Sequence, residues 1–421
     1  MRRLSLLVLW VVTAGALVPA TEKLIAAEGS PTAEEVLTEQ DFLGSLEEAH
    51  PASRALGGDL GVAEAERLQA GLLQDPRLAW EREEPDGEAR ETTWGVAWSP
   101  PLDTRRRWAI RAADSGVETQ RYVLDSRLGR QRVEARSVYA EWAGNYVRVS
   151  FIAGHASTLE TLARRTRNRA EAGEVSNLEA RRLEIALDIT TITLSKTRAA
   201  VAASRERAAA WMLGSGEDLL ELRPARPALP EVPGELNEEV AWEARPDVRA
   251  ARARVEQSES LEQLSRRSLE APEFLLGWKR IEEQGSDLEG PVFAIGWKVP
   301  ILDRRRADRL EAEATLAAAV AGEEWMQLQA RRELAAAFAA YEELRGTALA
   351  IDSGLEGLDD LTRAATAAFE HGETNVTDLL DTLQSVLTAR LSALDIYLAA
   401  LDAHRRLEFA AGRGLTSGDR S

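Results

Sequence analysis

Histidines, acidic residues and cysteines are the side chains most often used for catalysis and metal binding, and this 421-residue chain has 4, 70 and 0 of them, respectively. The lack of cysteine excludes thiolate zinc sites, disulfides and cysteine nucleophiles. With 70 acids, a carboxylate pair at a glycosidase-like separation is inevitable and therefore uninformative. The histidines lack metal-ligand spacing, and we expect surface or helix-capping roles for His50, His155, His371 and His404. The sequence thus predicts no catalytic residue, no cofactor and no metal site.

The most informative carboxylates follow two glycine-containing turns. The segment GEVSNLEA (173–180) contains Asn177 and Glu179, and the segment GETNVTDLLD (372–381) contains Asp378 and Asp381. One interpretation is structural, because acidic side chains at a helix start complement the helix dipole. Because these residues lie next to the turns, a functional role is also open. Which role it is depends on the fold of the helices that contain them.

Charge and the first residues indicate where the protein works. The 52 basic and 70 acidic residues give a formal charge of −18, which argues against nucleic acid as a partner. A basic start and the apolar run Leu4–Val18 predict a signal peptide over residues 1–27, with cleavage near 20 or 27. The run is short for a membrane-spanning helix, although an N-terminal anchor is the alternative.

The remaining sequence is a tandem duplication. Helical segments begin at Pro51 and Pro246, aromatic segments end at Pro100 and Pro300, and glycine turns recur at 173 and 372, with offsets of 195, 200 and 199 residues. We therefore divide the chain into a first repeat (36–221), a Pro-rich connecting strap (222–240), a second repeat (241–415) and a disordered tail (416–421). Prolines recur every third residue in the strap, as in an extended polyproline-like segment.

Long helices dominate both repeats. No proline occurs in residues 102–223 or 301–421, and a proline inside a helix costs about 3 kcal/mol. We predict helices over 104–172 and 304–371, each about 100 Å long at 1.5 Å per residue, and return helices over 177–213 and 377–411. Seven-residue spacing of Leu380, Leu387, Leu394 and Leu401 indicates coiled-coil packing. The turns at Gly173 and Gly372 separate these helices, with Ser176 or Thr374 and Thr377 as candidate caps.

Each repeat also carries one β-hairpin, at 77–100 and 273–300. The strands alternate large apolar and polar side chains, and acidic turns (Glu83 to Glu91 and Glu282 to Gly290) border them. Five of the eleven tryptophans fall in these strands: Trp80, Trp94, Trp98, Trp278 and Trp297. Either the hairpins pack an aromatic face on the protein, or they face lipid as strands of an outer-membrane barrel. Since four strands cannot close a barrel, a membrane role requires oligomerisation, and three copies give twelve strands.

This order of landmarks resembles the TolC-like outer-membrane efflux proteins from about residue 36 to 415. The matching pieces are the prolines at helix and strand starts, the PLD and PILD turns before the long helices, and the tips at 173–180 and 372–381. The length and the GEVS-type turn favour the heavy-metal efflux branch (CzcC/CusC type). Many relatives carry a lipidated cysteine after the signal, and without cysteine the anchoring here depends on the barrel alone.

The resemblance implies a mainly α-helical fold: a long antiparallel coiled-coil bundle and two hairpins that give four strands to a trimeric 12-stranded barrel. It implies a homotrimer in the outer membrane that extends into the periplasm and contacts outer-membrane lipid, a periplasmic adaptor and an inner-membrane RND-type pump. Its passive duct would export drugs or metal cations. The family's tip aspartates fall on Asp378 and Asp381, with Glu179 or Asn177 in the first repeat and the tip turns at Gly173, Gly372 and Thr374. Carboxylate rings on a threefold axis would form a cation-favouring, pH-sensitive constriction.

Two alternatives from other classes stay open. One is a secreted periplasmic coiled-coil structural or adaptor protein without membrane strands, and the other is a helical hydrolase. Fractionation separates them, because a barrel requires detergent for extraction whereas a coiled-coil adaptor is soluble. The clusters Arg105–Arg107 and Arg304–Arg306 lie beside the predicted membrane boundary, where they would meet lipid head groups, periplasmic-side acids or only solvent.

Overall fold

The computed structural model describes residues 35–44, 51–84, 89–101, 104–212, 219, 222–231, 241–267, 271–283, 286–298, 305–354 and 357–412. The predicted signal peptide and C-terminal tail lie outside these residues, as does part of the predicted strap. No helix in the described part of the chain is both long enough and apolar enough to cross a bilayer.

The first repeat is built around one helix of 67 residues. Its described elements, in chain order, are β1 (Glu35–Leu37), α1 (Glu39–Gly44), α2 (Pro51–Leu56), α3 (Gly58–Gly71), β2 (Arg77–Glu83), β3 (Ala89–Trp98), α4 (Arg105–Glu171) and α5 (Asn177–Trp211). The proline-free pattern predicted α4 and α5 to within two residues at each end. Helix α4 lies against α3 and α5, so two shorter helices accompany the long one.

The second repeat follows the same plan with one difference. Its elements are β4 (Leu222–Pro224), a 3₁₀ turn (Trp242–Ala244), α6 (Pro246–Ser265), β5 (Glu273–Glu283), β6 (Ser286–Gly296), α7 (Arg306–Gly354), α8 (Leu358–Glu370) and α9 (Val376–Ala410). The prediction of a single helix over 304–371 is wrong, because α7 ends at Gly354 and α8 begins at Leu358. Gly354 and Gly357 flank this boundary, and each glycine costs a helix interior about 1 kcal/mol.

Four strands form one antiparallel sheet in the order β2-β3-β5-β6, which joins the hairpins of the two repeats through β3 and β5. The strands extend further than predicted, because Glu282, Glu283 and Ser286 to Gly290 belong to β5 and β6 rather than to a turn. Cross-strand ion pairs such as Arg280–Asp287 (2.7 Å) neutralise the charges there and permit pairing of a polar sequence. Trp297 was predicted in a strand, but it lies one residue beyond the end of β6.

The core is a column of small apolar clusters along the bundle. The heptad residues Leu387, Leu394 and Leu401 are buried, as their spacing predicts. One cluster surrounds Tyr139 and Trp142 of α4, and another lies near the helix turns around Leu183 and Phe369. Helix α4 contacts α3, α5, α6 and α9, so the first repeat's long helix joins the two halves into one bundle.

Candidate functional site: the amphipathic sheet and the helix turns

The four-stranded sheet exposes a continuous apolar face. In cross-strand register, Trp80, Trp94 and Trp278 stand opposite one another. The neighbouring rows are Leu78–Val96–Leu276–Phe293 and Trp98–Phe274–Ile295. All these side chains are exposed, up to 84% for Leu78 and 81% for Phe293. The alternation read from the sequence is therefore confirmed, and the described protein leaves this face without a covering element.

The opposite face of the sheet carries mainly small and polar residues, with Leu275, Ile281, Leu288 and Val292 as its larger apolar side chains. Its central row is Ala79–Gly95–Gly277–Val292. A side chain has no space at the two glycines, since a Cβ on Gly277 would lie 2.6 Å from the backbone oxygen of Trp94. The hairpins of the two repeats therefore meet through a glycine pair, with apolar side chains on one side and mainly small or polar ones on the other.

The helix turns at the far end of the bundle have the same backbone in both repeats. Gly173 and Gly372 adopt φ values of +80° and +77°, the left-handed conformation that closes a helix. Ser176 caps α5 by accepting from the backbone N–H of Leu178, as predicted. The predicted cap of α9 is wrong, because Asn375, rather than Thr374 or Thr377, accepts from two backbone N–H groups. Three neighbouring residues are all of capping type, and the sequence alone does not choose among them.

The acidic residues near the turns differ in their exposure and in their local interactions. Asp378 lies in the first turn of α9 and accepts a hydrogen bond from the side chain of Asn375 (2.8 Å). Asp381 is exposed and lies beyond the first turn, where the helix dipole has little effect. In the first repeat, Glu179 is half-buried in the first turn of α5, and Asn177 is the exposed first residue of that helix.

The two turns lie side by side and are joined by polar contacts that the sequence did not reveal. Arg182 of α5 donates to the hydroxyl oxygen of Thr377 (2.7 Å), and Arg165 of α4 forms an ion pair with Glu370 of α8. A shared apolar cluster that includes Leu162, Leu183, Phe369, Val376 and Leu379 lies beneath them. Partners separated by about 200 residues have no local signal, so only the duplication could have suggested this proximity.

The described part of the strap is held by tyrosines from three long helices. The hydroxyl groups of Tyr139, Tyr341 and Tyr397 donate to the backbone oxygens of Ala225, Pro230 and Pro227, respectively. The Tyr139 hydroxyl shares its single proton between the Ala225 oxygen and the backbone oxygen of Leu37 (2.7 Å), at the end of β1, which pairs with β4. Burial raises the pKa of Tyr139 and raises that of Tyr341 to about 12, so both hydroxyls keep the proton that they donate. An extended segment with regularly spaced carbonyls suits this arrangement.

A buried polar network joins the two repeats beside the strap. Arg136 forms ion pairs with Glu39 and Glu408, and Arg405 binds Glu39 at 3.0 Å. His404, at 1% exposure, packs against the ring of Tyr341 with centroids 4.9 Å apart. The predicted surface or capping role is therefore wrong for His404. A polar side chain such as histidine gives no signal of burial in the sequence. His404 is buried because α9 packs against α4 and α7.

Within the described residues, no group of three or more His, Asp or Glu side chains could hold a metal ion. The sheet, the strap and the helix turns occupy successive levels along an elongated bundle.

Comparison with known proteins identifies this architecture. Residues 239–413 match the family described as "Outer membrane efflux protein". The second repeat therefore matches the outer membrane efflux protein family. A curated relative, the cobalt-zinc-cadmium resistance protein CzcC of Cupriavidus metallidurans, is 24% identical over 370 residues, which cover 85% of this chain and 86% of the relative.

Solved structures of outer-membrane proteins share the fold. The outer-membrane channel OprN has 19% identity and a TM-score of 0.74 and covers 89% of this chain and 90% of its own. The transmembrane channel CusC has 15% identity and the same TM-score of 0.74, with 89% and 92% covered. VceC of Vibrio cholerae has 16% identity and a TM-score of 0.72, with 90% and 97% covered. The efflux-protein fold therefore extends over both repeats of this chain and not only the second.

Proposed function

We propose that this protein acts as a homotrimeric outer-membrane duct that passively carries substrates outward from an inner-membrane RND-type pump and a periplasmic adaptor. The uncovered apolar face of the sheet carries this proposal. Rows of tryptophan, leucine and phenylalanine on one face and mainly small or polar residues on the other are typical of a barrel strand between lipid and lumen. In this proposal residues 36–221 and 241–415 are the two efflux repeats, joined by 222–240.

The edges of the sheet require more than one chain. Within the described residues, β2 and β6 each have one paired and one unpaired side. An unpaired backbone group in hydrocarbon costs several kcal/mol, and the smallest membrane barrels have about eight strands. Three copies supply twelve strands, and helix α4, at about 100 Å, then reaches deep into the periplasm.

Disulfide cross-linking tests the trimer, because the natural chain has no cysteine to interfere. We expect chains with Ala79→Cys on β2 and one further cysteine on β6, scanned along alternate positions from Val292, to oxidise at one scanned position into covalent species of up to three chains in the outer-membrane fraction, because a closed barrel staggers its strands. The single variants are the control, because neither supplies both edges. A soluble, monomeric periplasmic protein would instead support the alternative, a coiled-coil adaptor without membrane strands.

For the helix turns, we propose a carboxylate constriction in which Asp381 is the principal residue. Asp378 is engaged by Asn375 and complements the helix start, whereas the described structure gives Asp381 no such role. Three copies of an exposed aspartate around a threefold axis would attract cations. We expect Asp381→Asn to weaken block by divalent cations of the single-channel current in planar bilayers, and Glu342→Gln, an exposed site on α7, to leave the block unchanged. Equal block in both variants would refute the constriction.

Metal cations are the favoured substrate class. The relative CzcC is named for cobalt, zinc and cadmium resistance and is similar over most of both chains. We expect cells that lack this protein to become more sensitive to these metals than to hydrophobic drugs, measured as inhibitory concentrations. Sensitisation to drugs alone would assign the duct to multidrug efflux.

A further inference from the structure

All four strand–helix junctions lie at one end of the sheet, and arginine side chains tie three of them together. Helix α4 follows β3, α7 follows β6, and α3 and α6 precede β2 and β5. Arg105 donates to the backbone oxygen of Arg267 beyond α6, and Arg106 donates to that of Gly71 at the end of α3. These contacts place the first residues of α4 directly beside the ends of both short helices.

The junctions concentrate positive charge in an otherwise acidic chain. In the full sequence the junctions (72–76, 99–107, 266–272 and 297–306) contain nine cations and four acids, whereas the whole chain has a formal charge of −18. The cations that the structure describes are Arg105, Arg106, Arg107, Arg266, Arg267, Lys298, Arg305 and Arg306. Glu262 and Asp308 neutralise Arg266 and Arg305 in part. Among the described residues, the exposed Arg107, Arg267 and Arg306 have no ion-pair partner.

The opposite end of the sheet has a different electrostatic character. Basic side chains there are paired with acids, as in Arg90–Glu282, Lys279–Glu91 and Arg280–Asp287. Unpaired cations are therefore a property of the helix-side end and not of the sheet in general.

Exposed apolar side chains lie at the same junctions. Leu72 and Leu73, just after α3, are 70% and 55% exposed, and Trp297, just after β6, is 54% exposed. The indole N–H of Trp98 donates to the backbone oxygen of Gln74 (3.0 Å), which fixes this ring at the boundary. Apolar side chains adjacent to unpaired cations are typical of surfaces that insert shallowly into lipid and bind phosphate head groups.

We propose that Arg107, Arg267 and Arg306 form a basic belt that binds the head groups of anionic phospholipids in the periplasm-facing leaflet of the outer membrane. The inference rests on the proposed function, since the helices extend from this end of the sheet towards the periplasm. The belt would fix the depth of the barrel in the membrane and select anionic lipids around it.

Native mass spectrometry of the full chain in detergent, titrated with phosphatidylglycerol or phosphatidylcholine, tests the belt. We expect wild-type protein to prefer phosphatidylglycerol, and the triple variant Arg107→Gln, Arg267→Gln, Arg306→Gln to lose roughly five-fold in affinity per arginine removed. The matched control is Arg164→Gln, Arg198→Gln, Arg332→Gln, which removes three exposed arginines remote from the sheet and should keep the preference. Equal preference in the two triple variants would overturn the belt.

Two further measurements keep the test decisive if the glutamine variant misfolds. Replacement of the three arginines by lysine retains charge and should retain the preference, and 1 M salt should abolish it in the wild type, because the Debye length falls to about 3 Å. A preference insensitive to salt would refute the electrostatic belt. Wild-type protein that forms a trimer without lipid preference refutes only the belt, whereas a soluble monomer refutes the proposed function itself.

Discussion

The two repeats share their backbone devices but differ in their buried polar contacts. Each has a hairpin, a long helix, a turn with a left-handed glycine and a capped return helix. The repeats differ in the length of the long helix: α4 runs unbroken for 67 residues, whereas α7 covers 49 residues and is followed by a separate helix, α8. His404, at 1% exposure, belongs to the second repeat alone.

This comparison separates two kinds of constraint. Turns and strand pairing are local, and the same residue types satisfy them in both repeats. In the middle of the bundle the repeats contact each other through buried polar side chains, and there each surface must complement a different neighbour. Arg136 of the first repeat therefore pairs with Glu408 of the second. The packing does not require the reverse pair, in which the second repeat would supply the arginine and the first repeat the glutamate.

The strongest test of the shared backbone plan is the glycine pair that joins the hairpins. We expect Gly277→Val to abolish formation of the proposed trimer, because its Cβ would lie 2.6 Å from the backbone oxygen of Trp94. Gly95→Val should be equally damaging, since its Cβ would lie 2.8 Å from the backbone oxygen of Leu276. Gly290→Val, in the same sheet but with no atom within 4 Å, is the control. Assembly of all three variants would show that β3 and β5 do not need the close approach of Gly95 and Gly277.

The difference between the repeats is tested by two histidines. Burial, and then the positive charges of Arg136 and Arg405, lower the pKa of His404 to about 4, while Glu39 opposes the shift and Glu408 and Tyr341 also face the ring. Because the folded pKa lies below the unfolded value of about 6.5, protonation favours unfolding. The effect is absent above pH 6.5 and grows to about 3 kcal/mol as the pH falls towards 4.

Thermal unfolding in detergent from pH 7.5 to 4 measures this effect. His404→Gln should flatten the acid-side loss of stability relative to wild type, since glutamine does not titrate. His155 of the first repeat also has a lowered pKa through burial, but it is only half-buried, and His155→Gln should change the profile less. Identical pH profiles for the two variants would contradict the proposed difference between the histidines of the two repeats.

The sequence predicted features that depend on local chemistry and missed those that depend on the neighbour. Proline placement located α4 and α5, and alternation identified the exposed face of Trp94 and Trp98. The break between α7 and α8 was missed because glycine is a weak helix breaker. The contact of Tyr139 with Ala225, 86 residues away, has no periodic signal at all. The roles of Asp378 and Asp381 came from resemblance and stay predictions.

A smaller loss of stability is expected when the tyrosines of α4 and α7 lose their hydrogen bonds to the strap. Tyr139→Phe removes the described donor to the oxygen of Ala225, and a buried carbonyl without a partner costs about 1–3 kcal/mol. Tyr341→Phe should cost less, because Arg345 also donates to the oxygen of Pro230 (2.9 Å). Denaturant unfolding compares the two, with Tyr122→Phe on α4 as the control. A larger loss in Tyr341→Phe would mean that the strap is held mainly by the second repeat.

The smallest expected effects are at the helix turns, where the repeats are most alike. Asn375 accepts from two backbone N–H groups and Ser176 from one, so we expect Asn375→Ala to cost more than Ser176→Ala within the 0.5–2 kcal/mol typical of caps, about 1 on average. Hydrogen exchange at the amides of Leu178, Thr377 and Asp378 reports these losses locally.

Alanine at Gly173 and at Gly372 provides the internal standard for that comparison. Both glycines have φ near +80°, and a Cβ added at either would meet no atom within 4 Å. The cost of alanine, about 1–2 kcal/mol, is therefore backbone strain alone and should be the same in the two repeats. If the glycine variants match and the cap variants differ, the asymmetry comes from the caps. Unequal glycine variants would instead show that the turns, despite equal backbone angles, are held differently by their surroundings.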